Sequence, residues 1–443
     1  MKPTRQINRR EVLAAGTAVA AVTVVPRHVL GGPKFTPPSE KLNIAGVGIG
    51  GMGSGDIRNC AGENIVALCD VDQRAVARNA QHFPHAKQYS DFRRMLETQQ
   101  DIDAVVCATP DHNHAVVSVM AMKMGKHVHC QKPLTHSVYE ARMMGEVAKQ
   151  TGVATQMGNQ GQAGEGARLI CEYIHSGAIG AVREVHAGSN RRPPISPRGV
   201  PRPTDTPPVP PELNWDLWLG PSPARPYHPT YHPFSWRGWW DFGTGVLGDI
   251  GCHQLSAVFK ALKPGHPTSV EACSSNYQVG PEIANETAPK SSITRWQFPA
   301  ASDRAAFTIT WWDGGMTPPR PAELEPGRRF GEGDWLLIVG DKGKLLGHRL
   351  IPESKSQEIG APPRVLERSP GHYKEWIDAC KGGKPAGSNF VDHAAHLAEV
   401  VLLGNIAIRT NQKLLWDGDN LLFTSSDEAN QLINPPYRDG WSL

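Results

Sequence analysis

The chain of 443 residues lacks the patterns that define several protein classes. It has no internal repeat, and its eight cysteines include no C-x-x-C pair, so neither a zinc knuckle nor a thioredoxin motif is supported. Residues 1–40 hold six basic and two acidic side chains, which leaves the rest near −1 of the overall +3. A near-neutral body gives no electrostatic reason to expect a nucleic-acid partner. Cys69, Cys107 and Cys130 lie in apolar runs, where a thiol usually packs as a small hydrophobe.

Residues 1–39 look like an export leader followed by a linker. Arg9-Arg10 stands in the segment NRREVL, which resembles the twin-arginine pattern, with Val12 where Phe is commoner. The apolar stretch that follows ends at Val25 and is too short to cross a membrane comfortably. We therefore expect export by the twin-arginine translocase, to the periplasm or to a tethered position on the outer face of the membrane. A disordered or anchoring N-terminus is the alternative.

Residues 40–158 alternate short apolar strands with helical patterns, which predicts a parallel sheet with crossover helices, a Rossmann dinucleotide-binding domain. Helices are expected at His112–Met124, capped by Asp111, and at Ser137–Lys149. The predicted strands are Asn43–Val47, Asn64–Cys69, Ala104–Ala108, His127–Cys130 and Thr155–Met157.

Residues 159–443 show strand-like segments without long helices between them, which predicts an α+β domain with a largely antiparallel open sheet. We expect this domain to bind substrate and to form a homo-oligomer, a dimer or tetramer. A Pro-rich loop from Arg191 to Pro233 interrupts it, and two late helices are expected at Gly371–Lys381 and Val391–Arg409. The predicted strands are Arg183–Ser189, Ser269–Tyr277, Ser291–Phe298, Arg304–Trp311 and Trp335–Val339.

The motif G-x-G-x-x-G follows the first predicted strand and opens a helix. Such glycines permit a tight turn and a close approach of the backbone to a pyrophosphate at the helix N-terminus. The residues expected there are Gly48, Gly50, Gly51, Met52 and Gly53. Asp70 ends the next strand, where a carboxylate bonds ribose hydroxyls and repels a 2′-phosphate, which favours NAD over NADP. Arg74 is close enough to soften that preference.

Two other segments follow strands of this sheet: residues 108–114 (ATPDHNH) and residues 130–133 (CQKP). Ligands of open α/β sheets bind outside the carboxyl ends of the strands. Lys132 is suited there to bond a substrate hydroxyl and to share in proton transfer, whereas a surface lysine on a loop is the alternative. No carboxylate or cysteine completes a metal sphere at helical spacing, so no metal is expected at the four nearby histidines, His112, His114, His127 and His129.

Asp249 and His253 are four residues apart, so on a helix they share one face. An imidazole with a pKa near neutrality is suited to take a proton from a secondary alcohol, and Asp249 would orient it or bond the substrate. An ordinary helix with a packed histidine is the alternative.

Taken in this order, these motifs resemble the glucose–fructose oxidoreductase / inositol dehydrogenase superfamily (Gfo/Idh/MocA), over nearly all of residues 41–443. The resemblance implies a catalytic trio of Lys132, Asp249 and His253. It also implies cofactor contacts from Thr109, Pro110, Asn113, His114, Gln131 and Lys132. The family usually has Glu-Lys-Pro where this chain has Gln131-Lys132-Pro133, which puts a role of that carboxylate in question.

Residues 215–242 hold five of the 12 tryptophans. Their rings suit the apolar face of a sugar, and equally they suit a subunit interface. We expect Trp236, Arg237, Asn159 and Gln160 to contact substrate. The leading function is an NAD(H)-dependent oxidation of a sugar, inositol or glycoside by an enzyme with tightly bound cofactor. An NAD-dependent glycoside hydrolase or lyase that works through a transient keto-sugar is the alternative, and a non-catalytic dinucleotide-binding protein is a third reading that the trio argues against.

Overall fold

The structure is a computed structural model that describes residues 40–191 and 197–443, so the predicted leader lies outside the described residues. The first sheet is parallel, with the strand order β3-β2-β1-β4-β5-β6. Its strands are β1 (Asn43–Val47), β2 (Asn64–Cys69), β3 (Lys87–Tyr89), β4 (Ala104–Cys107), β5 (His127–Cys130) and β6 (Thr155–Met157). The short β3 has no apolar run, because it lies at an edge and its first two residues are exposed, so periodicity did not predict it.

Helices follow each of the first five strands, as a parallel sheet requires. They are α1 (Gly51–Asn59), α2 (Gln73–Ala80), α3 (Phe92–Thr98), α4 (Asp111–Lys123) and α5 (Val138–Thr151). The Ser137 side chain and Glu140 form a capping box that starts α5, and Gly152 ends it in the left-handed conformation. Cys69, Cys107 and Cys130 are buried in the core of this sheet.

The second sheet has nine strands in the order β13-β12-β11-β7-β10-β9-β8-β14-β15. It is antiparallel except between β7 and β10, which confirms the predicted fold class. Its strands are β7 (Val182–Asn190), β8 (Ser269–Ser274), β9 (Ser292–Phe298), β10 (Phe307–Asp313), β11 (Gly333–Gly340), β12 (Lys344–Leu346), β13 (Arg349–Ile351), β14 (Leu414–Asp417) and β15 (Leu422–Phe423). β8 ends before the predicted Tyr277, because the Ser274 side chain accepts the backbone N–H of Asn276 and starts a turn.

The other helices of the described chain are α6 (Glu165–His175), α7 (Trp215–Leu219), α8 (Gly245–Gln254), α9 (Ser256–Leu262), α10 (Pro281–Ala284), α11 (Glu353–Ile359), α12 (His372–Cys380), α13 (Ala395–Thr410) and α14 (Asp427–Gln431). A π-helical turn, Phe390–Ala394, leads into α13. Phe390–Thr410 is long and apolar enough to cross a membrane, but 83% of its most apolar 18-residue window is buried in the protein. Such burial marks it as a core helix.

Helix α8 carries Asp249 and His253 and packs between the second sheet and α13. The packing is close, since a Cβ atom on Gly251 would lie 3.3 Å from the Val401 side chain. Along β9, buried residues alternate with half-exposed or exposed ones, so one face of the sheet packs on helices while the other is open. The sheet and α13 together fix the position of the α8 side chains.

Candidate active site

A cleft of about 520 Å³ runs along the carboxyl ends of the parallel strands. The glycine turn forms its floor: Gly48 has φ of +75°, and a Cβ atom there would lie 2.6 Å from the backbone nitrogen of Thr109. A Cβ atom on Gly53 would lie 2.0 Å from the Gly48 carbonyl oxygen. Only glycine fits at either position, and the cradle therefore suits the pyrophosphate of a dinucleotide.

Asp70 lies in the cleft directly after β2. Its carboxylate accepts the backbone N–H groups of Gly50 at 3.0 Å and Asp72 at 2.9 Å. Burial raises the pKa of Asp70 to about 6, although these backbone hydrogen bonds oppose the rise. Arg74 does not line the cleft, because Asp72 holds its guanidinium through two hydrogen bonds of 2.9 and 2.8 Å. A cation engaged in this way offers little to a 2′-phosphate.

Lys132, at the other end of the cleft, forms an ion pair with Asp249. The lysine Nζ lies 2.6 Å from Asp249 Oδ1 and 3.0 Å from the Asp249 carbonyl oxygen. Arg237 donates from Nε to the same Oδ1 at 3.3 Å. Burial alone would raise the pKa of Asp249, but Lys132 and Arg237 outweigh it and hold that pKa below its usual value. Asp249 is therefore a carboxylate held between two cations.

His253 lies one turn further along α8 and faces a second cavity of about 500 Å³. Gln254 and Asp334 also line this cavity. Burial and the charge of Lys132 together lower the pKa of His253 to about 4, while Asp249 opposes the shift. The expectation of a pKa near neutrality is therefore wrong, and the imidazole is neutral at pH 7, with a nitrogen lone pair that can accept a proton.

Most of the residues predicted to bind the cofactor line the cleft, whereas His114 lies behind its wall. Thr109, Pro110, Asn113, Gln131 and Lys132 line the cleft, as do Gly48, Gly50, Gly51 and Met52. His114 lies beneath it, with its ring nitrogens 2.8 Å from the carbonyl oxygen of Thr109 and 2.7 Å from that of Pro133. His114 thus supports the wall of the cleft instead of lining it.

Two of the four residues predicted to contact substrate line the cleft, and the other two line neither cavity. Trp236 and Arg237 line the cleft, with the guanidinium 4.2 Å from the centre of the Trp236 ring. Asn159 and Gln160 line neither cavity. The Asn159 amide donates to Ser256 Oγ at 3.2 Å, and the Gln160 amide donates to the Tyr373 hydroxyl at 3.3 Å.

Asp111 is a cleft residue that the sequence reasoning missed. The prediction that it caps α4 is wrong: the N-cap is Pro110, and Asp111 is the first helical residue. Its carboxylate accepts the Thr244 hydroxyl at 2.7 Å, and burial raises its pKa to about 7. Its position just past the end of β4 was the one signal available in the sequence.

The tryptophan-rich segment forms a small hydrophobic core of its own. Trp218 and Trp239 are buried in it, Trp240 is buried in the main core, and Trp215 stacks on Trp218 with ring centres 4.6 Å apart. These rings pack within one chain, and a subunit interface at this segment stays a prediction. Trp218 and Trp236 are the members of the set that line the cofactor cleft.

The four histidines near the parallel sheet make separate contacts. His112 faces the carbonyl oxygens of Phe242 and Trp218, while His129 packs against His372 with ring centres 5.4 Å apart. Elsewhere in the described chain, three side chains with metal-binding atoms come together at His266, His396 and Glu399. Arg142 holds both oxygens of that glutamate at 2.9 and 3.0 Å, which makes the group an ion-pair cluster between α5 and α13.

A glycine cradle on a parallel sheet, joined to a second domain whose helix α8 supplies Asp249 and His253, defines a two-domain protein of the dinucleotide-binding class. The chain belongs to the Gfo/Idh/MocA oxidoreductase family. Residues 42–159 match the model of its NAD-binding Rossmann fold, and residues 202–279 and 338–443 match that of its C-terminal alpha/beta domain.

Levoglucosan dehydrogenase from Pseudarthrobacter phenanthrenivorans is 29% identical over 189 residues, 42% of this chain and 40% of the relative. A glycosyl hydrolase family 109 protein from Shewanella pealeana is 23% identical over 192 residues, 40% of this chain and 42% of the relative. The chain thus spans about two fifths of these curated relatives. The crystal structure of the WlbA dehydrogenase from Bordetella pertussis, with NADH and UDP-GlcNAcA, has a TM-score of 0.57 at 18% identity, covering 85% of this chain and 99% of that one. This last likeness supports the fold.

Proposed function

We propose that the protein is an NAD-dependent oxidoreductase that acts on a secondary alcohol of a sugar, inositol or glycoside. The observation that carries the proposal is the ion pair of Asp249 with Lys132, which lines the dinucleotide cleft, with neutral His253 one turn from Asp249 along α8. His253 faces the second cavity, where Asp334 and Gln254 offer polar groups to a hydroxylated ligand. A substrate in that cavity would meet the imidazole of His253.

NAD would supply the acceptor for the hydride that leaves the carbinol carbon. Lys132 is suited to donate a hydrogen bond to the substrate hydroxyl oxygen and to stabilise the alkoxide as it forms. His253 is suited to take the hydroxyl proton, because its imidazole is neutral at pH 7. Asp249 holds the Lys132 ammonium in place through its 2.6 Å contact. The alcohol would become a ketone, with its hydroxyl proton taken by His253 and its hydride by the bound cofactor.

The same residues support a second function, an NAD-dependent glycoside hydrolase or lyase. The similarity to a glycosyl hydrolase family 109 protein favours it. Oxidation of one hydroxyl would acidify the neighbouring C–H, and elimination would break the glycosidic bond, release the aglycone as an alcohol and leave an unsaturated ketone. In a hydrolase, water would add to this double bond, whereas a lyase would keep it, and the hydride would then return to the ketone carbon.

The leader motif supports export by the twin-arginine translocase, with the cofactor loaded in the cytoplasm. Little free NAD is expected outside the cytoplasm. We therefore further propose that the cofactor is tightly held and that each turnover is a closed cycle, in which the hydride taken from the substrate returns to a product. Alternate residues of β9 are half-exposed or exposed on one face of the second sheet, and a second copy that packed there would bury them, which supports a homo-oligomer.

The test uses a panel of sugars and glycosides deuterated at the oxidised carbon, incubated with the enzyme as purified. Denaturation should release close to one NAD(H) per chain. In a closed cycle the deuterium appears in a product without accumulating NADH, and mass spectrometry separates an isomerised or reduced sugar from a cleaved glycoside. Stoichiometric release of NADH would indicate an ordinary dehydrogenase and would contradict the closed cycle. Absence of both NADH and deuterated product across the panel would count against the oxidoreductase itself.

A further inference from the structure

The two ends of the cofactor cleft differ in the strands that they follow. Lys132 lies after β5, Thr109 after β4, Gly48 after β1, Asp70 after β2 and Ser90 after β3, and all five line the cleft. The strand order β3-β2-β1-β4-β5 therefore orders these residues in space. With the nicotinamide ring near Lys132 and the adenosine ribose hydroxyls near Asp70, the adenine of a bound dinucleotide would lie beyond Asp70, towards the end of β3.

Trp441, distant in sequence from the Rossmann strands, lines this far end of the cleft. Its ring centre lies 6.2 Å from that of Phe92, at 39° between the planes, and the Arg93 guanidinium lies 4.5 Å from the Trp441 ring centre. Arg93 is held in turn by hydrogen bonds of 3.0 and 2.8 Å to Asp91. An indole supported on one side by a fixed cation presents a flat apolar surface beside the cleft.

Contacts within the second domain hold the segment that carries Trp441 in place. Arg438 donates from its backbone N–H to the Pro221 carbonyl at 2.9 Å and from Nε to the Gly220 carbonyl at 3.1 Å. Its Nη2 donates to the Asp216 carbonyl at 3.0 Å. These contacts fix the segment to α7 and the turn that follows it.

The same region is joined to the chain just after Asp70. The Asn214 backbone N–H donates to the Val71 carbonyl at 2.9 Å, and the Gln73 N–H donates to the Glu212 carbonyl at 3.0 Å. The segment that carries Trp441, α7 and the ribose end of the cleft are therefore linked by backbone hydrogen bonds.

We propose that Trp441 is the adenine-stacking residue of this protein and that it sets the retention of the dinucleotide. The inference rests on the proposed function, since it takes the cleft to bind NAD. A nucleobase of any sequence stacks on an aromatic ring through its π-face, and Trp441 offers such a ring at the adenine end. Stacking of this kind changes affinity by about 10- to 100-fold.

The test compares binding of the whole dinucleotide with binding of its adenosine half and of its nicotinamide half. Trp441→Ala should weaken binding of NADH and AMP by about 10- to 100-fold, and Trp441→Phe by less, because a smaller ring still stacks. Binding of reduced nicotinamide mononucleotide, which lacks the adenosine, should not change. Affinities are measured by calorimetry on protein freed of cofactor, and the release rate of NADH from the loaded protein by fluorescence. Trp312→Ala, a half-exposed tryptophan on the second sheet, is the matched control and should leave all three affinities unchanged.

Three results overturn the proposal: unchanged NADH and AMP affinity in Trp441→Ala, an equal loss for all three ligands, or the same loss in the Trp312→Ala control. A thermal unfolding midpoint measured without ligand shows whether a loss common to all three reflects damage to the fold. If the unmodified protein binds none of the three ligands, the proposed function itself fails, a result distinct from a Trp441 variant that behaves like the unmodified protein.

Discussion

The side-chain amide of Gln131 donates a hydrogen bond of 2.8 Å to Oδ2 of the buried Asp56 carboxylate. The Tyr373 hydroxyl donates to the other oxygen of Asp56 at 2.6 Å. The Gfo/Idh/MocA motif usually has a glutamate at the position of Gln131, and a second carboxylate at this distance would repel the first. The amide therefore complements Asp56, and the departure from the family motif has a local electrostatic reason.

Gln131→Glu should lower the free energy of unfolding by roughly 1–3 kcal/mol at pH 7, because a buried hydrogen bond is replaced by a contact between like charges. Such a contact raises the pKa of the pair in the folded state. The loss should therefore shrink as the pH falls from 7 to 5 and one carboxyl takes up a proton. Urea unfolding at the two pH values measures both effects.

The matched control for Gln131→Glu is the exchanged pair, Asp56→Asn combined with Gln131→Glu. It restores one amide and one carboxylate, so it should recover part of the lost stability. A double variant no more stable than Gln131→Glu alone would show that the direct contact is not the cause.

Lys132→Ala and His253→Ala should each reduce turnover by about 10²- to 10⁴-fold while leaving NAD bound and the fold intact, because a positioned acid–base group contributes about that much. Lys123→Ala, which removes an exposed lysine at the end of α4, is the control and should keep full activity. Normal turnover of His253→Ala between pH 6 and 9 would show that another group takes the proton.

The Lys132→Met variant should raise the pKa of His253 above its value of about 4, because the Lys132 charge is one cause of the depression and Asp249 would then be paired with Arg237 alone. The ring carbon signal of His253, assigned by its loss in His253→Gln, measures the shift by NMR titration. A signal that titrates near 6.5 in the unmodified protein would contradict the burial assigned to this ring.

Replacing both arginines of the leader, Arg9→Lys with Arg10→Lys, should hold the protein inside the cell, because the translocase reads the arginine pair. Cell fractionation of the source bacterium measures the distribution. Unchanged export of the double variant would remove the basis for the leader assignment.

Sequence patterns within a few residues were sufficient to predict most of the strands and helices of the Rossmann domain. The glycine motif predicted the turn after β1, because the close approach of the Gly48 and Gly53 backbones excludes any side chain. The capping residue Ser137 and the terminal Gly152 predicted the limits of α5 to within two residues. Asp111 was misread, because a carboxylate before a helical pattern looks like a cap whether or not it bonds the helix. Its partner, Thr244, is 133 residues away.

The sequence by itself determined the Rossmann strands, the glycine cradle, and the spacing that puts Asp249 and His253 on one helix face, since these depend on neighbours within a few residues. Only the tertiary structure decided that Lys132 pairs with Asp249 across 117 residues and that Asp56 meets Gln131 across 75. It alone brings Trp441 to the adenine end of the cleft. Contacts of this kind depend on the order of the strands in each sheet and on how the second domain folds back over the first, and no local periodicity encodes that order.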